Sequence, residues 1–187
     1  MFLNFGFKSI TMDDISTEMG ISKKTIYQHF KNKSDLIQTC AFHVFNIISS
    51  GIEEIRRQKM NPIEEIYEIK SLAMKHLKDE KSSPQYQLQK YYPRIYSTLK
   101  KKQYELIKGF VTQNLKKGIT RGYFRKNMNV DTIAKFYFNG IIELNNTEIF
   151  PPQQYSMPLL METYIEYHVR AIATPKGIKI LNQTLEK

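Results

Sequence analysis

The chain has 187 residues and a formal net charge of +10, and 41% of its residues are hydrophobic. A chain of this length and composition can bury a real core, which excludes disorder as its main state, and no stretch approaches the ~20 apolar residues that cross a bilayer. The single cysteine, Cys40, excludes an intrachain disulfide and a cysteine-based metal site. Since the opening residues also lack the features of a secretory signal, we expect a cytoplasmic protein without a metal or cofactor.

The positive charge is concentrated in the middle of the chain. Residues 1–35 carry five lysines against four acidic residues, whereas residues 90–126 carry eleven lysines and arginines against one glutamate. A basic surface attracts polyanions, but a run of charge also solvates an ordinary helix. The sequence leaves three interpretations of the central segment open: a solvated helix face, a contact with flanking DNA, or attraction of an acidic ligand.

Apolar residues recur at helical spacing and strand signals are scarce, which predicts an all-α fold. A first helix is expected over residues 11–19, because Thr11 and Asp14 have the spacing of a capping box. Gly20 should end this helix, and a second short helix is expected over residues 22–30.

Longer helices are expected downstream of this pair. The predicted segments are residues 34–51 or on to 57, 61–77, 103–120, 131–147 and 157–174. The polar run at residues 78–85 should close the second of them. Pro93 should break residues 84–100 into shorter pieces and Pro175 should stop the last helix, because proline cannot donate a backbone hydrogen bond.

Two short helices joined by a glycine-containing turn, with a third helix following at once, are the ingredients of a helix-turn-helix. The second helix of such a motif enters the DNA major groove, and here its polar residues are Lys23, Lys24, Thr25, Tyr27, Gln28 and His29. Ammonium and hydroxyl groups can donate to phosphates, and an amide can read adenine. The pattern therefore predicts a DNA-binding segment.

The segment ITMDDISTEMGISKKTIYQHFKNKSDLI, residues 10–37, resembles the N-terminal signature of the TetR family of bacterial transcriptional regulators. The resemblance implies DNA base readout by Lys23, Lys24 and Gln28, together with Tyr27. It implies DNA phosphate contacts by Thr11, Thr25, His29 and Lys33. It implies a local core of Ile15, Met19, Ile21, Ile26 and Phe30.

In the family a full helix precedes the pair that matches Gly6 and Phe7, and only residues 1–5 precede it here. Most of that first helix is therefore expected to be missing, through a truncated start or a damaged module, which would uncover Ile15 and Phe30. The resemblance further implies a DNA-binding domain at residues 1–38 and a helical ligand-sensing and dimerisation domain at residues 39–187.

In this second domain the resemblance implies a small-molecule pocket and a homodimer interface. The aromatic candidates for the pocket are Tyr86, Tyr91, Tyr92, Tyr96, Tyr104 and Phe110. The two long helices at 131–147 and 157–174 should pair with those of a second subunit. The implied mechanism is repression from a palindromic operator, a double-stranded DNA partner, with release by the unknown effector.

Two other classes of function compete with this interpretation. An enzyme needs a constellation that the sequence does not offer, since no Gly-rich phosphate loop, zinc-protease motif or nucleophile elbow occurs. A protein-interaction module with a relict helix-turn-helix is the second alternative, and loss of DNA binding would favour it.

Overall fold

The computed structural model describes residues 1–77 and 84–186, and these residues form ten helices and no β-strand. The all-α fold is thereby confirmed. Within the described ranges, no helix combines the length and the apolar character needed to cross a membrane. The helices are α1 (Phe2–Phe5), α2 (Met12–Met19), α3 (Lys23–His29), α4 (Lys33–Arg57), α5 (Pro62–Leu77), α6 (Pro84–Tyr91), α7 (Pro93–Thr120), α8 (Val130–Glu143), α9 (Met157–Ile172) and α10 (Pro175–Leu185).

The chain forms two compact units, which we call the N-terminal unit and the C-terminal unit. The N-terminal unit comprises residues 1–48 and 76–102, and the C-terminal unit comprises residues 49–75 and 103–187. The N-terminal unit thus includes a segment far along the chain, centred on α6. The functional division after residue 38 stays a prediction.

Local sequence signals define the first helices. The Thr11 side chain accepts a hydrogen bond from the Asp14 amide and the Asp14 side chain accepts one from the Thr11 amide, so the predicted capping box is confirmed. Gly20 follows the last residue of α2 with φ 63°. Ser22 caps α3 by accepting from the Thr25 amide at 3.0 Å. These caps satisfy backbone donors that a helix end otherwise leaves without partners.

Two hydrophobic clusters hold the N-terminal unit together. The first consists of Ile10, Met12, Ile15, Ile26 and Leu36, and the second of Phe7, Ile37, Leu88, Ile95 and Leu99. Phe2, in the single turn of α1, packs against both clusters. Ile15 is therefore buried although α1 is short, and Phe30 is half-buried.

The predicted local core was wrong at two positions. Met19 is 62% exposed and Ile21 is 37% exposed, whereas Ile15 and Ile26 are buried. The reason is the length of α2: the helix packs through its first half, at Met12 and Ile15, and Met19 lies one turn further on at its end. Ile21 lies in the turn before α3, outside the regular spacing of either helix.

The predicted break in residues 84–100 is confirmed at Pro93, but the separate helix expected from residue 103 is part of one continuous helix. Pro93 is the first residue of α7, which runs to Thr120. Proline is favourable there because the first helical residues need no intrahelical donor. The expected closure of α5 by residues 78–85 falls largely on residues 78–83, outside the described residues.

Pro175 was predicted to stop the last helix, but it is the first residue of a further helix, α10. Thr174 caps α10 by accepting a hydrogen bond from the Gly177 amide, and Pro175 occupies the first turn. Helix α9 has already ended at Ile172. The same preference of proline for helix starts therefore accounts for both corrections.

In the C-terminal unit, the last turns of α7 form a close contact with the segment that follows. Phe124 is 1% exposed, and its ring lies against Gly118, where a Cβ atom would be only 2.0 Å from Phe124 Cδ2. Gly118 is therefore required by close packing rather than by its place near the helix end. Gly109, in the same helix, has no atom near its missing Cβ.

This difference gives a matched test. We expect Gly118→Ala to lower the free energy of unfolding by about 1–3 kcal/mol, because the buried Phe124 ring must move. Gly109→Ala should raise it by about 0.5–1 kcal/mol, because alanine loses less backbone entropy in a helix. Urea unfolding followed by circular dichroism measures both, and equal effects of the two substitutions would contradict the packing argument.

Candidate nucleic-acid interface

Helix α3 turns a polar face to solvent. Its buried residue, Ile26, packs in the first hydrophobic cluster. Residues four apart share one side of a helix, which places Lys23 with Tyr27 and Lys24 with Gln28. All four side chains are exposed. The four residues predicted to read bases therefore lie together on one accessible face.

The four residues predicted to contact phosphates lie at or near the ends of helices. Thr11 is the N-cap of α2, Thr25 lies in the first turn of α3, His29 is the last residue of α3, and Lys33 is the first residue of α4. The first turn of a helix offers backbone N–H groups and a favourable dipole to an anion. The sites at Thr11, Thr25 and Lys33 share that property.

The Thr11 hydroxyl already has an acceptor. It donates to the Asp14 carboxylate at 2.7 Å, and the Thr11 amide donates to the same oxygen at 2.7 Å. The backbone bond from Thr11, followed by its hydroxyl bond, lowers the pKa of Asp14 below its usual value. A phosphate bound at Thr11 therefore has to replace a carboxylate as the acceptor of the hydroxyl.

The Thr25 hydroxyl is similarly engaged, since its oxygen lies 2.8 Å from that of Ser22. Either hydroxyl can be the donor of this bond. The hydroxyl that accepts in this bond keeps its own proton, which is available to another acceptor.

A carboxylate of α2 also holds one of the predicted base-reading residues. Lys23 Nζ lies 2.8 Å from Asp13 Oδ2, and both side chains are exposed. This hydrogen bond, with the charge of Asp13, raises the pKa of Lys23. Asp13 was absent from the predicted site, because it lies ten positions before Lys23, on the other side of a turn. Its charge opposes any phosphate that approaches Lys23.

Lys33 is fixed by a contact that sequence analysis missed. Its ammonium group donates to the backbone carbonyl of Lys8 at 3.2 Å. Partial burial lowers the pKa of Lys33, and the negative charge of Asp14 opposes that shift. The segment before α2 thus lies beside the start of α4, and it brings a second lysine to the edge of the interface.

The same segment is anchored to α6 by Gln87. The Gln87 side-chain carbonyl accepts from the Phe7 amide at 2.7 Å. Gly6 has φ 86°, and a Cβ atom there would be 2.4 Å from Gln87 Nε2, so the close approach needs a glycine. The Gly6-Phe7 pair is visible in the sequence, but its partner lies 80 residues away and no spacing rule connects them.

The six aromatic residues predicted for the ligand pocket occupy different environments. In the N-terminal unit, Tyr86 and Tyr91 are exposed, while Tyr92 and Tyr96 pack against the second cluster. In the C-terminal unit, Tyr104 meets the Phe138 ring edge-on at 5.1 Å and Phe110 is buried. Their role in binding a ligand stays a prediction.

A cavity of about 430 Å³ lies in the C-terminal unit, between the first part of α5 and the end of α10. Its wall includes Tyr67, Glu68 and Thr184. None of the six predicted aromatic residues contributes to it. No sequence prediction corresponds to this cavity, because α10, which forms part of its wall, was not predicted.

Residues 1–40 match the family model described as bacterial regulatory proteins, tetR family. These 40 residues are therefore similar to the N-terminal domain of TetR-family regulators. This match covers the helix-turn-helix, its preceding segment and the first turns of α4, and it agrees with the resemblance found in the sequence. The TetR family is one of regulatory proteins, which agrees with the prediction that the chain is not an enzyme.

Solved structures of TetR-type regulators resemble the chain over nearly its whole length. A TetR-family transcriptional regulator from Agrobacterium tumefaciens has 16% identity, covers 92% of each chain and gives a TM-score of 0.73. The ketosteroid transcriptional regulator KstR2 of Mycobacterium tuberculosis has 18% identity over 93% of this chain and 90% of its own, with a TM-score of 0.63. SmeT, the repressor of the Stenotrophomonas maltophilia multidrug efflux pump SmeDEF, has 11% identity over 93% and 85%, with a TM-score of 0.67. At these identities the likeness shows the shared fold, and no curated protein matches the sequence.

The pair between Lys23 and Asp13 leads to a prediction about DNA affinity. Asp13→Asn should strengthen binding to duplex DNA by about two- to fivefold at low salt, because it frees Lys23 and removes a charge that repels phosphates. A fluorescence anisotropy titration measures the change. Glu18→Gln, which removes an exposed charge from the same helix, is the matched control and should have a smaller effect. A gain no larger than that of the control would contradict the role given to Lys23.

Proposed function

We propose that the chain is a sequence-specific DNA-binding transcriptional regulator, acting in the cytoplasm as a repressor on a palindromic operator. The observation that carries this proposal is the exposed face of α3, with Lys23, Lys24, Tyr27 and Gln28 side by side. An α-helix fits the major groove, in which each base pair presents a distinct pattern of donors and acceptors. The family match of residues 1–40 supports the same conclusion.

Binding to DNA from the protein's own upstream region tests the proposal. The duplex is titrated at several salt concentrations against a scrambled duplex of equal length and composition. A regulator binds the upstream duplex more tightly than the scrambled one, with an affinity that falls steeply as salt rises. Equal and weak binding to both duplexes would favour an interaction module with an idle helix-turn-helix.

The division between base-reading and phosphate-binding residues gives a sharper test. Lys33→Ala should weaken binding to all sequences to a similar extent, because a phosphate contact carries no sequence information. Gln28→Ala should instead change the preferred base at one operator position, at which discrimination falls by about 1–3 kcal/mol. Binding selection from a randomised duplex library measures both. Loss of the same size and pattern from the two variants would overturn the assignment.

We also propose that α8 and α9 form the homodimer interface. The two helices pack together, with the Tyr164 hydroxyl donating to the Tyr137 carbonyl at 3.0 Å. They nevertheless leave large apolar side chains exposed: Phe136 at 65%, Leu159 at 61% and Tyr167 at 69%. Exposed apolar surface of this kind is typical of a subunit interface. A second subunit would place two copies of α3 on successive major grooves of one operator.

Introducing charge on these helices tests the dimer. Phe136→Glu combined with Tyr167→Glu should convert a dimer into a monomer, because two buried charges without partners are costly in an interface. Sedimentation equilibrium measures the mass, and circular dichroism checks that the helices remain. Leu185→Glu, at an exposed apolar residue of α10, is the control. A monomeric wild type, or a variant that remains dimeric, would contradict this interface.

The proposed regulator responds to a small-molecule effector. The solved structures of similar fold include KstR2, a ketosteroid transcriptional regulator, and SmeT, the repressor of a multidrug efflux pump. The six aromatic residues from Tyr86 to Phe110 remain individual candidates for contact with the effector, since aromatic side chains suit flat apolar ligands. Linkage requires that an effector that weakens DNA binding is itself bound more weakly in the presence of DNA.

A further inference from the structure

A cluster of lysines and tyrosines lies beside the interface, on the side of α6. Lys8 Nζ is 5.1 Å from the centroid of the Tyr91 ring, and Lys90 Nζ is 5.6 Å from the same centroid. Lys90 also lies 5.5 Å from the Tyr86 ring and donates to the Tyr86 hydroxyl at 3.4 Å. All four side chains are exposed. We call these four residues the lysine-tyrosine patch.

The patch is fixed to the interface by two contacts already described. Gln87, three residues before Lys90, accepts a hydrogen bond from the Phe7 amide and thereby holds the segment that carries Lys8 against α6. Lys33 Nζ donates to the Lys8 carbonyl at 3.2 Å. Lys33, Lys8 and Lys90 therefore belong to one connected surface within the N-terminal unit.

The charge of this surface is not neutralised from within. Among the described residues, neither Lys8 nor Lys90 has a carboxylate within ion-pair distance. Residues 84–102 contain five lysines and arginines and no aspartate or glutamate. The hydrogen bond to Tyr86 raises the pKa of Lys90. Two ammonium groups held at one ring repel each other, and an anion nearby removes that cost.

We propose that Lys8 and Lys90 bind the phosphate backbone of the DNA, extending the interface from Lys33 onto α6. This inference rests on the proposed function and adds a contact from outside the helix-turn-helix. The tyrosine rings hold each ammonium group through its attraction to the π face and leave its outer N–H groups exposed. A lysine that is already ordered loses less side-chain entropy when it binds a phosphate. The contact carries charge and no base readout, so it strengthens binding to every sequence.

The salt dependence of DNA binding tests the patch. Wild type, Lys8→Gln/Lys90→Gln and the control Lys126→Gln/Lys179→Gln are titrated with a duplex that the wild type has selected from a randomised library. The control removes two exposed lysines from the C-terminal unit, so both variants lose the same net charge. The plot of log affinity against log salt should become less steep by about 0.9 for each lost phosphate contact in the Lys8/Lys90 variant. The control should keep the slope of the wild type, and relative preferences among sequences should stay unchanged in both variants.

The possible results separate the two proposals. If the wild type selects no sequence, the proposed function fails, and this inference with it. If the wild type selects a sequence and the Lys8/Lys90 variant keeps the slope of the control, the proposed function stands and the patch is an ordinary solvated surface. Lys8→Arg/Lys90→Arg keeps the charge and should restore the wild-type slope. A reduced slope in that variant would also overturn the proposal.

Discussion

The hydrogen bond between the Gln87 side chain and the Phe7 amide connects two distant parts of the chain, and the arrangement of the interface depends on it. Gly6 makes the bond accessible, because any side chain at that position would collide with the Gln87 amide. Phe7 is buried in the cluster that also contains Leu88 of α6. The segment before α2 is therefore held against α6. The same contact positions Lys8, the edge of the helix pair α2 and α3, and the start of α4.

In the candidate interface, acidic side chains lie close to the residues predicted to bind DNA. Asp14 stabilises the start of α2 by accepting a hydrogen bond from Thr11, and Asp13 forms an ion pair with Lys23. Both carboxylates favour the folded, DNA-free protein, and both oppose a phosphate at the same place. This explains why residues 1–35 have almost no net charge although they form the DNA-binding region of the proposed regulator. In the proposed regulator, affinity for DNA would then depend on lysines supplied from outside the helix pair.

Local signals in the sequence were sufficient to predict the helices of the helix-turn-helix, whereas contacts between distant parts of the chain could not be predicted. Thr11 and Asp14 are three residues apart, and Ser22 and Thr25 likewise, so their caps follow from spacing alone. Met19 was misassigned because spacing identifies a helix face but not how far along that face a neighbour packs. Pro175 was misassigned because proline stops one helix and starts another with equal ease. The contacts of Lys8 with Tyr91 and of Gln87 with Phe7 join residues about 80 positions apart, for which a single sequence contains no signal.

The structure also divides the central basic segment, residues 90–126, into two parts that differ in how their charge is held. In the C-terminal unit, Lys117 lies 2.5 Å from a Glu65 oxygen and Lys108 lies 3.5 Å from Asp131, although Lys108 also lies over the Tyr104 ring. In the N-terminal unit, Lys90, Lys100 and Lys102 lie over aromatic rings instead. A carboxylate cancels the charge of a lysine, whereas a ring orders the side chain and leaves the charge in place. Ion pairs therefore offset part of the charge of residues 103–126, at Lys108 and Lys117, whereas among the described residues no ion pair offsets the charge of residues 90–102.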